Sequence, residues 1–441
     1  MTLTRPKFPQ ELFDAFVDDI GREYRNLSSP LRTSCRLALQ ACLFVSRSFC
    51  HRARRYLFAT VGLTQGVGRE KSIPLGVHKL MQILHSDLPV GGIARYIKQV
   101  MIGIIYHVPP AGPMDQGVDS SLVAFLRAMI GDGYGICDFL FVISIPGKGC
   151  LGWDRISPDL RECFADTACS PHLTRVYFLG LSHIPRAVFL NPHLKHLHLK
   201  SSIWRSEEFI QAQQVDAPLQ TTSIPQLLAR TRLESLTTDH TYPIKYFEHS
   251  SAESPLSSLS TLRSHITASP DFFDCMGILS RAARTITLLN IIFVLRAPVP
   301  PKALNLRSFP RLRWLEVEAE LGAFEMGIQN IFRLLDSPSA SKNLFSIDFT
   351  VKSSKATSYP RGGLLSPAGS PSPYWRRLDA LLSGSKYSSV KTVSFFFSID
   401  FTTKPANPPE EFYITETVAR LKRTFPRILR SKSLEINVEV K

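Results

Sequence analysis

The sequence lacks the local patterns that mark metal-binding and secreted proteins. Its eight cysteines form no C-x-x-C pair, so none has the usual spacing of zinc ligands. Cys35, Cys42 and Cys50 lie about two helical turns apart, which favours one packed helical face over a metal cage. The amino-terminal segment gains acidic residues within its first turns, unlike a secretory signal. We therefore expect reduced cysteines that fill apolar space inside the cell.

Long hydrophobic runs are missing as well. The most apolar stretch, ITLLNIIFVL at residues 286–295, has about ten residues, whereas a membrane-spanning helix needs about 20. Hydrophobic residues make up 44% and charged residues 20% of the 441-residue chain, which is typical of a globular protein. The sequence predicts a soluble protein of the cytoplasm, the nucleus or both, with no membrane partner.

The motifs of catalysis and cofactor binding are also absent. There is no H-E-x-x-H and no G-x-S-x-G. GDGYG at residues 131–135 follows a helical run instead of a strand, so it does not fit a dinucleotide loop. His196 and His198 share one strand face, but the sequence places no carboxylate near them to complete a metal site. We predict a protein that is not an enzyme and that holds no cofactor or metal ion.

The charge of the chain is strongly positive but dispersed. The formal net charge is +15, and no run of five or six Lys/Arg residues occurs. Such a charge favours anionic partners, acidic proteins as well as nucleic acids. Arg52, Arg54 and Arg55 are spread around one predicted helix and do not line a groove-facing stripe. We therefore predict a solvated positive surface and do not expect a nucleic-acid partner.

The first sixty residues predict three short helices. In FPQELFDAFVDDI, proline suits the first helical position, and apolar residues recur with helical period on one face: Leu12, Phe13, Phe16, Val17 and Ile20. A second helical pattern carries Leu39, Cys42, Leu43, Phe44, Ser46 and Phe49, and a third lies in SFCHRARRYLF. Three short helices with more apolar surface than they can cover themselves predict a docking module.

This arrangement resembles an F-box, specifically the F-box-like proteins of mushroom-forming fungi. The matching positions are Phe8-Pro9-Gln10-Glu11-Leu12, then Cys42, Val45, Ser46, Arg47 and Phe49, then Arg52, Arg54, Arg55, Leu57 and Phe58. The sequence departs from the family pattern where Phe8 replaces a leucine and Phe49 replaces a tryptophan. The connection before the second helix is also longer than in the family.

The resemblance implies that the module binds the Skp-type linker subunit of a cullin–RING (SCF) ubiquitin ligase. By position, the apolar contacts with the linker would come from Phe8, Pro9, Leu12, Ile20, Val45 and Phe49. The alternative is a three-helix cap that covers the end of the following domain and has no partner.

Beyond residue 60 the chain repeats the phrase apolar-x-x-apolar-x-apolar. The clearest copies are LTRVYF at 173–178, LKHLHL at 194–199, LRWLEV at 312–317, LFSIDF at 344–349 and VKTVSF at 390–395. This is the strand pattern of a leucine-rich repeat, in which the apolar positions stack inward and the x positions face outward. Intervening helices are predicted at 122–129, 225–231, 272–283 and 328–336. Strands alternating with helices predict α/β units with a parallel sheet.

The predicted fold is therefore α+β overall. Residues 1–60 form a short all-α F-box-like module, and residues 61–441 form an irregular α/β leucine-rich-repeat-like solenoid with a parallel sheet. A Ser/Pro/Gly-rich stretch at 351–373 predicts a mobile loop. The same fungal family has a degenerate repeat region, and residues 374–395 resemble its final helix–strand unit.

Two functions remain open from the sequence. One is a non-catalytic adaptor that docks on the SCF linker and presents an unidentified target protein bound to the repeat sheet, acting by proximity. The other is a basic repeat scaffold, or a nucleic-acid-associated interaction protein, without ligase docking. Capture by the linker subunit would favour the first, and steeply salt-dependent nucleic-acid binding the second.

Overall fold

The structure is a computed structural model, and within its described residues the chain is mixed α/β with a large parallel sheet. This architecture is consistent with the predicted α+β class and confirms the predicted parallel sheet. The chain divides into two compact units, the first reaching Leu194 and the second comprising Lys195–Lys200 and the described residues from 232 onward. The described residues are 9–26, 29–64, 73–84, 93–105, 116–131, 135–145, 150–182, 184, 191–200, 232–238, 255–266, 269–293, 305–320, 324–336, 341–356, 373–401 and 410–440.

The first unit begins with three packed helices, called here the helical module: α1 (Gln10–Arg25), α2 (Arg32–Cys42) and α3 (Arg47–Leu57). Pro9 lies directly before α1, one position ahead of the first helical position predicted for it. The second predicted helical pattern is divided, because residues 43–45 form a turn between α2 and α3. The side chain of Ser46 explains this break, since it accepts a hydrogen bond from the backbone N–H of Phe49 (3.3 Å) and so caps α3.

The rest of the first unit alternates strands and helices. The strands β1, β2, β3 and β5 lie side by side in that order and pair in parallel, and the short strands β4 and β6 form a separate parallel pair. The elements are β1 (Thr60–Thr64), α4 (Ile73–Leu84), β2 (Gln99–Ile105), α5 (Gln116–Gly131), β3 (Asp138–Ser144), β4 (Leu151–Gly152), α6 (Pro158–Cys169), β5 (Arg175–Leu179) and β6 (Leu181–Ser182).

Within its described residues, the second unit contains eight parallel strands in chain order, from β7 (His196–Lys200) to β14 (Ser433–Val440). The elements are β7 (His196–Lys200), β8 (Ser235–Thr238), β9 (Thr261–Ile266), α7 (Ser269–Ala282), β10 (Leu288–Phe293), β11 (Trp314–Glu320), α8 (Phe324–Leu335), β12 (Ser346–Ala356), α9 (Pro373–Ser383), β13 (Thr392–Phe401), α10 (Glu410–Thr424), α11 (Pro426–Ser431) and β14 (Ser433–Val440).

The predicted inward positions of the repeated phrase are buried. Leu312, Leu315 and Val317 are almost fully buried on β11 and the segment before it, whereas Trp314 between them is exposed. Alternation of this kind follows from the two-residue period of a strand. Of the predicted helices, the one at 122–129 lies within α5, and those at 272–283 and 328–336 lie within α7 and α8 except for their last residue. The one predicted at 225–231 lies outside the described residues.

Two sequence expectations differ from the structure in detail. Strand β12 continues to Ala356, past the predicted start of the mobile loop at 351, because β11 and β13 pair with it on both sides. Residues 357–372 of that predicted loop lie outside the described residues. The cysteines are expected to fill buried apolar space, but only Cys42, Cys163 and Cys275 are buried. The expectation of a buried filler is wrong for Cys169, which is exposed at the end of α6.

Candidate docking surface

The helical module is held together by a small apolar core and one ionic network. The buried core residues are Val17, Leu39, Cys42 and Ala53, against which Ile20, Tyr24, Leu43, Phe49, Tyr56 and Leu57 pack in part. Asp18 accepts hydrogen bonds from Arg52 (2.8 Å to Nε and 2.6 Å to Nη2) and from the hydroxyl of Tyr56 (2.9 Å). Arg52 also pairs with Asp14. These contacts join the middle of α1 to α3.

The network changes the titration of Asp18. Its hydrogen bond with Arg52 is the main cause, and it lowers the pKa of the carboxyl from 3.8 to about 2. Gly21 on α1 faces the ring of Tyr56 on α3, and a Cβ at position 21 would collide with that ring. Gly21 therefore permits the close packing that brings Tyr56 within reach of Asp18.

A set of large apolar side chains remains exposed on this module. We call it the apolar surface, and it consists of Leu12, Phe13, Phe16, Phe44 and Val45. Leu12 and Phe16 are each 59% exposed and lie one helical turn apart on α1, while Phe44 is 88% exposed and Val45 is 64% exposed in the turn before α3. Exposed apolar clusters of this kind on a folded protein mark interaction sites.

The two parts of the apolar surface lie at the same end of the module. Gln10 at the start of α1 donates a hydrogen bond to the hydroxyl of Ser48 at the start of α3 (2.9 Å). The rings of Phe13 and Phe49 contact each other, with centroids 5.5 Å apart. Because α3 follows directly after the turn, these contacts bring Phe44 and Val45 to the amino-terminal half of α1.

The structure separates the six predicted linker contacts into groups. Pro9, Leu12 and Val45 are exposed and accessible to a partner. Ile20 and Phe49 are half-buried and pack against the core of the module. Phe8 lies outside the described residues.

Sequence reasoning placed Phe16 and Phe44 on helical faces but did not select them as contacts. For Phe16 a signal was present, since it follows Leu12 by one helical turn. For Phe44 no such signal was present. The second helical pattern of the sequence continues through residue 44 and therefore predicts Phe44 on a helical face, not in a turn. In the structure the turn at 43–45 directs Phe44 outward.

The opposite flank of the module contacts the segment that precedes β2. His51 on α3 and Tyr96 pack edge to face, with ring centroids 5.4 Å apart. Tyr96 itself is buried. This contact agrees with the capping role considered from the sequence, but it involves α3 and leaves Leu12, Phe16, Phe44 and Val45 of the apolar surface more than half exposed.

The sheet of the second unit has one face under helices and one open face. Helices α7 and α8 contact β9 and β11 on the side of the buried leucines. On the open face, Arg263, Asn290, Glu316 and Asp348 are register neighbours on four consecutive strands. Arg263 is exposed, Glu316 and Asp348 are half-buried, and Asn290 is buried. The amide of Asn290 donates to a carboxylate oxygen of Glu316 (2.5 Å). Charge on this row thus changes from basic to acidic across the sheet.

The histidine pair considered as a metal site lies on β7. His196 and His198 are half-buried, whereas the repeat pattern predicts exposed, outward-facing positions for them. Burial is the main reason that the pKa of His198 falls to about 4, and the charges of Lys200 and Arg263 lower it further. Among the residues that the structure describes, no group of three or more His, Cys, Asp or Glu side chains is arranged to hold a metal ion.

None of the described helices combines the length and the apolar composition that crossing a membrane requires. Comparison of the chain with models of known protein families and with curated proteins found no match.

Proposed function

We propose that the chain is a non-catalytic substrate-recognition adaptor of an SCF-type ubiquitin ligase. In this proposal the helical module is an F-box-like domain that binds the Skp-type linker subunit. The strands and helices after it form an irregular leucine-rich-repeat-like solenoid that binds a target protein. The single observation that carries the proposal is the apolar surface, on helices whose sequence resembles an F-box.

The energetic argument favours a protein partner for this surface. Fully burying a large apolar side chain contributes about 1.5–3 kcal/mol. Leu12, Phe16, Phe44 and Val45 are each more than half exposed, so covering them would contribute on the order of 5 kcal/mol before the costs of association. A three-helix cap without a partner accounts for the contact of α3 with Tyr96 but gives this surface no role.

The open face of the second unit is the proposed target-binding face. Its opposite face is covered by α7 and α8, whereas Trp314 and Arg263 on the open face are exposed. An adaptor that holds its target beside the ubiquitin-loading enzyme accelerates transfer by raising the local concentration of target lysines. It needs no catalytic group of its own.

A pull-down of the full chain with the linker subunit tests the proposal. We expect the wild-type chain to be captured and the double variant Leu12→Asp/Phe16→Asp to lose capture, because each substitution places a charge in the buried contact. Phe273→Asp is the matched control, since Phe273 on α7 is 61% exposed but lies outside the apolar surface.

Two results would overturn the proposal. One is a wild-type chain that does not bind the linker at all, and the other is a Leu12→Asp/Phe16→Asp variant that is captured as well as the Phe273→Asp control. If the chain instead bound DNA or RNA with a steep dependence on salt, its charge of +15 would support the basic scaffold as the alternative function.

A further inference from the structure

A cavity of about 460 Å³ lies between the helical module and the segment that precedes β2. Both sides belong to the first compact unit. Five of its lining side chains are basic, and they come from α1, from α3 and from the segment before β2: Arg25, His51, Arg55, Arg95 and Lys98. The other two lining residues are Tyr56 and Tyr96. A volume of this size falls in the range of small-ligand sites.

Among the residues that the structure describes, no acidic side chain pairs with the basic groups that line this cavity. No acidic side chain is among the described residues that line it. None of Arg25, Arg55, Arg95 and Lys98 forms an ion pair among the described residues, whereas the salt bridges of this module all involve Arg52 and Arg22. The nearest carboxylate to Tyr56 is Asp18, which is already held by Arg52. Like charges gathered without counterions repel one another and create a positive potential.

Two of the arginines are held in place by the tyrosines. The guanidinium of Arg25 lies 4.8 Å from the ring centroid of Tyr56, and that of Arg95 lies 4.7 Å from the ring of Tyr96. Arg25 also donates to the backbone carbonyl of Arg55 (3.2 Å), and Arg95 donates to the hydroxyl of Tyr96 (2.6 Å). Stacking of this kind fixes a guanidinium and leaves part of its fork of N–H donors free.

The positive charges around the cavity also affect the pKa of His51. Partial desolvation lowers the pKa of its imidazole, and the positive charges of Arg95, Arg55, Arg54 and Arg52 lower it further. The charges that act most strongly on His51 are all positive. His51 is also the ring that contacts Tyr96, so it joins the α3 side of the cavity to the side formed by the segment before β2.

We propose that this cavity binds a compact ligand that carries two or more phosphate groups. Arginine forks match phosphate oxygens in pairs, which makes them better suited to phosphate than to a single carboxylate. Each tyrosine ring already has a guanidinium over it, so the rings support arginines and do not provide a stacking site for a base. The inference is independent of linker binding, because none of its residues belongs to the apolar surface.

Calorimetric titration of the full chain with sodium tripolyphosphate tests the proposal. We expect Arg55→Ala/Arg95→Ala to weaken binding at least about tenfold, since each charged hydrogen bond contributes about that factor. The control Arg36→Ala/Arg311→Ala removes the same charge from exposed positions outside the cavity and should change binding less than about twofold. If the double variant unfolds, Lys98→Ala takes its place in the titration, because this substitution alters only one exposed side chain of the cavity.

A second arm separates the two sources of phosphate. Flotation with phosphatidylcholine vesicles, with and without phosphatidylinositol 4,5-bisphosphate, shows whether a lipid headgroup binds in place of a free solute. Loss of either kind of binding in Arg55→Ala/Arg95→Ala, but not in the control, supports the proposal. Absence of both kinds of binding in the wild type would overturn it. Equal losses of binding in the variant and in the control would also overturn it. The same holds if the cavity residues are needed only for binding single-stranded RNA.

Discussion

The two ends of the helical module differ in chemistry: one presents exposed apolar side chains, and the other presents a basic cavity. At the amino-terminal half of α1, apolar side chains such as Leu12 and Phe16 lie in water. At the carboxyl-terminal ends of α1 and α3, Arg25 and Arg55 border a cavity that no acidic side chain of the described residues lines. Covering the apolar side chains with another polypeptide is favourable, because it removes them from water. Binding of an anion in the cavity is favourable, because the arginines can form charged hydrogen bonds with it. One pair of helices therefore presents two surfaces that suit chemically different partners.

The largest expected effect is a complete separation of the two activities. Leu12→Asp/Phe16→Asp should lose linker capture but bind tripolyphosphate like the wild type, and Arg55→Ala/Arg95→Ala should do the reverse. The reason is that the two surfaces share no side chain, although they share helices. Running the pull-down and the titration on both variants measures this. If either variant lost both activities while remaining folded, the comparison of two independent surfaces would be wrong.

A smaller effect is expected at Gly21, which lies between the two surfaces. Gly21→Ala forces a Cβ against the ring of Tyr56, and overpacking of this kind costs about 1–3 kcal/mol of unfolding free energy. Because that ring supports Arg25, tripolyphosphate binding should weaken more than linker capture. Urea unfolding measures the stability change, and the two binding assays measure the rest.

Gly277→Ala is the matched control for this substitution. Gly277 lies inside α7, and a Cβ there would meet no atom within 4 Å. Replacing it should leave stability unchanged or raise it by about 0.5–1 kcal/mol, because alanine favours the helix. Equal destabilisation by both substitutions would show that close packing at Gly21 is not the cause.

The smallest effect concerns acid stability. The pKa of Asp18 is lower in the folded chain, at about 2, than its ordinary value of 3.8. The ionised carboxylate therefore stabilises the fold above pH 3.8, and this contribution is lost as the pH falls toward 2. Asp18→Asn should be less stable than the wild type at neutral pH, with the difference shrinking over that acidic interval. Thermal unfolding at a series of pH values measures it, and a difference that stays constant with pH would exclude the assigned cause.

Much of the second unit was predictable because its signal is local. In LRWLEV the positions of Leu312, Leu315 and Val317 already define the buried face of a strand, since the side chains of a strand alternate. Repeated copies then imply strands that lie side by side. The end of β12 was not predictable in this way, because Ala356 is paired by a neighbouring strand and composition alone indicated a loop there.

The candidate sites were predictable only in part. The helical period of α1 identified Leu12, Phe16, Val17 and Ile20 as apolar positions, but it did not show that Val17 is buried while Leu12 and Phe16 are exposed. That depends on the angle at which α1 packs against α3. The basic cavity gave no sequence signal, because Arg25, Arg55 and Arg95 are far apart in the chain and in no common motif.

The sequence by itself determined the order of strands and helices, the inward positions of the strands and the apolar character of the first helices. These properties depend on periodicity over a few neighbouring residues, which the chain specifies directly. Only the tertiary structure decided which apolar side chains remain in water and which arginines share a cavity. Exposure and electrostatic potential depend on all the groups that packing brings near, whatever their distance along the chain.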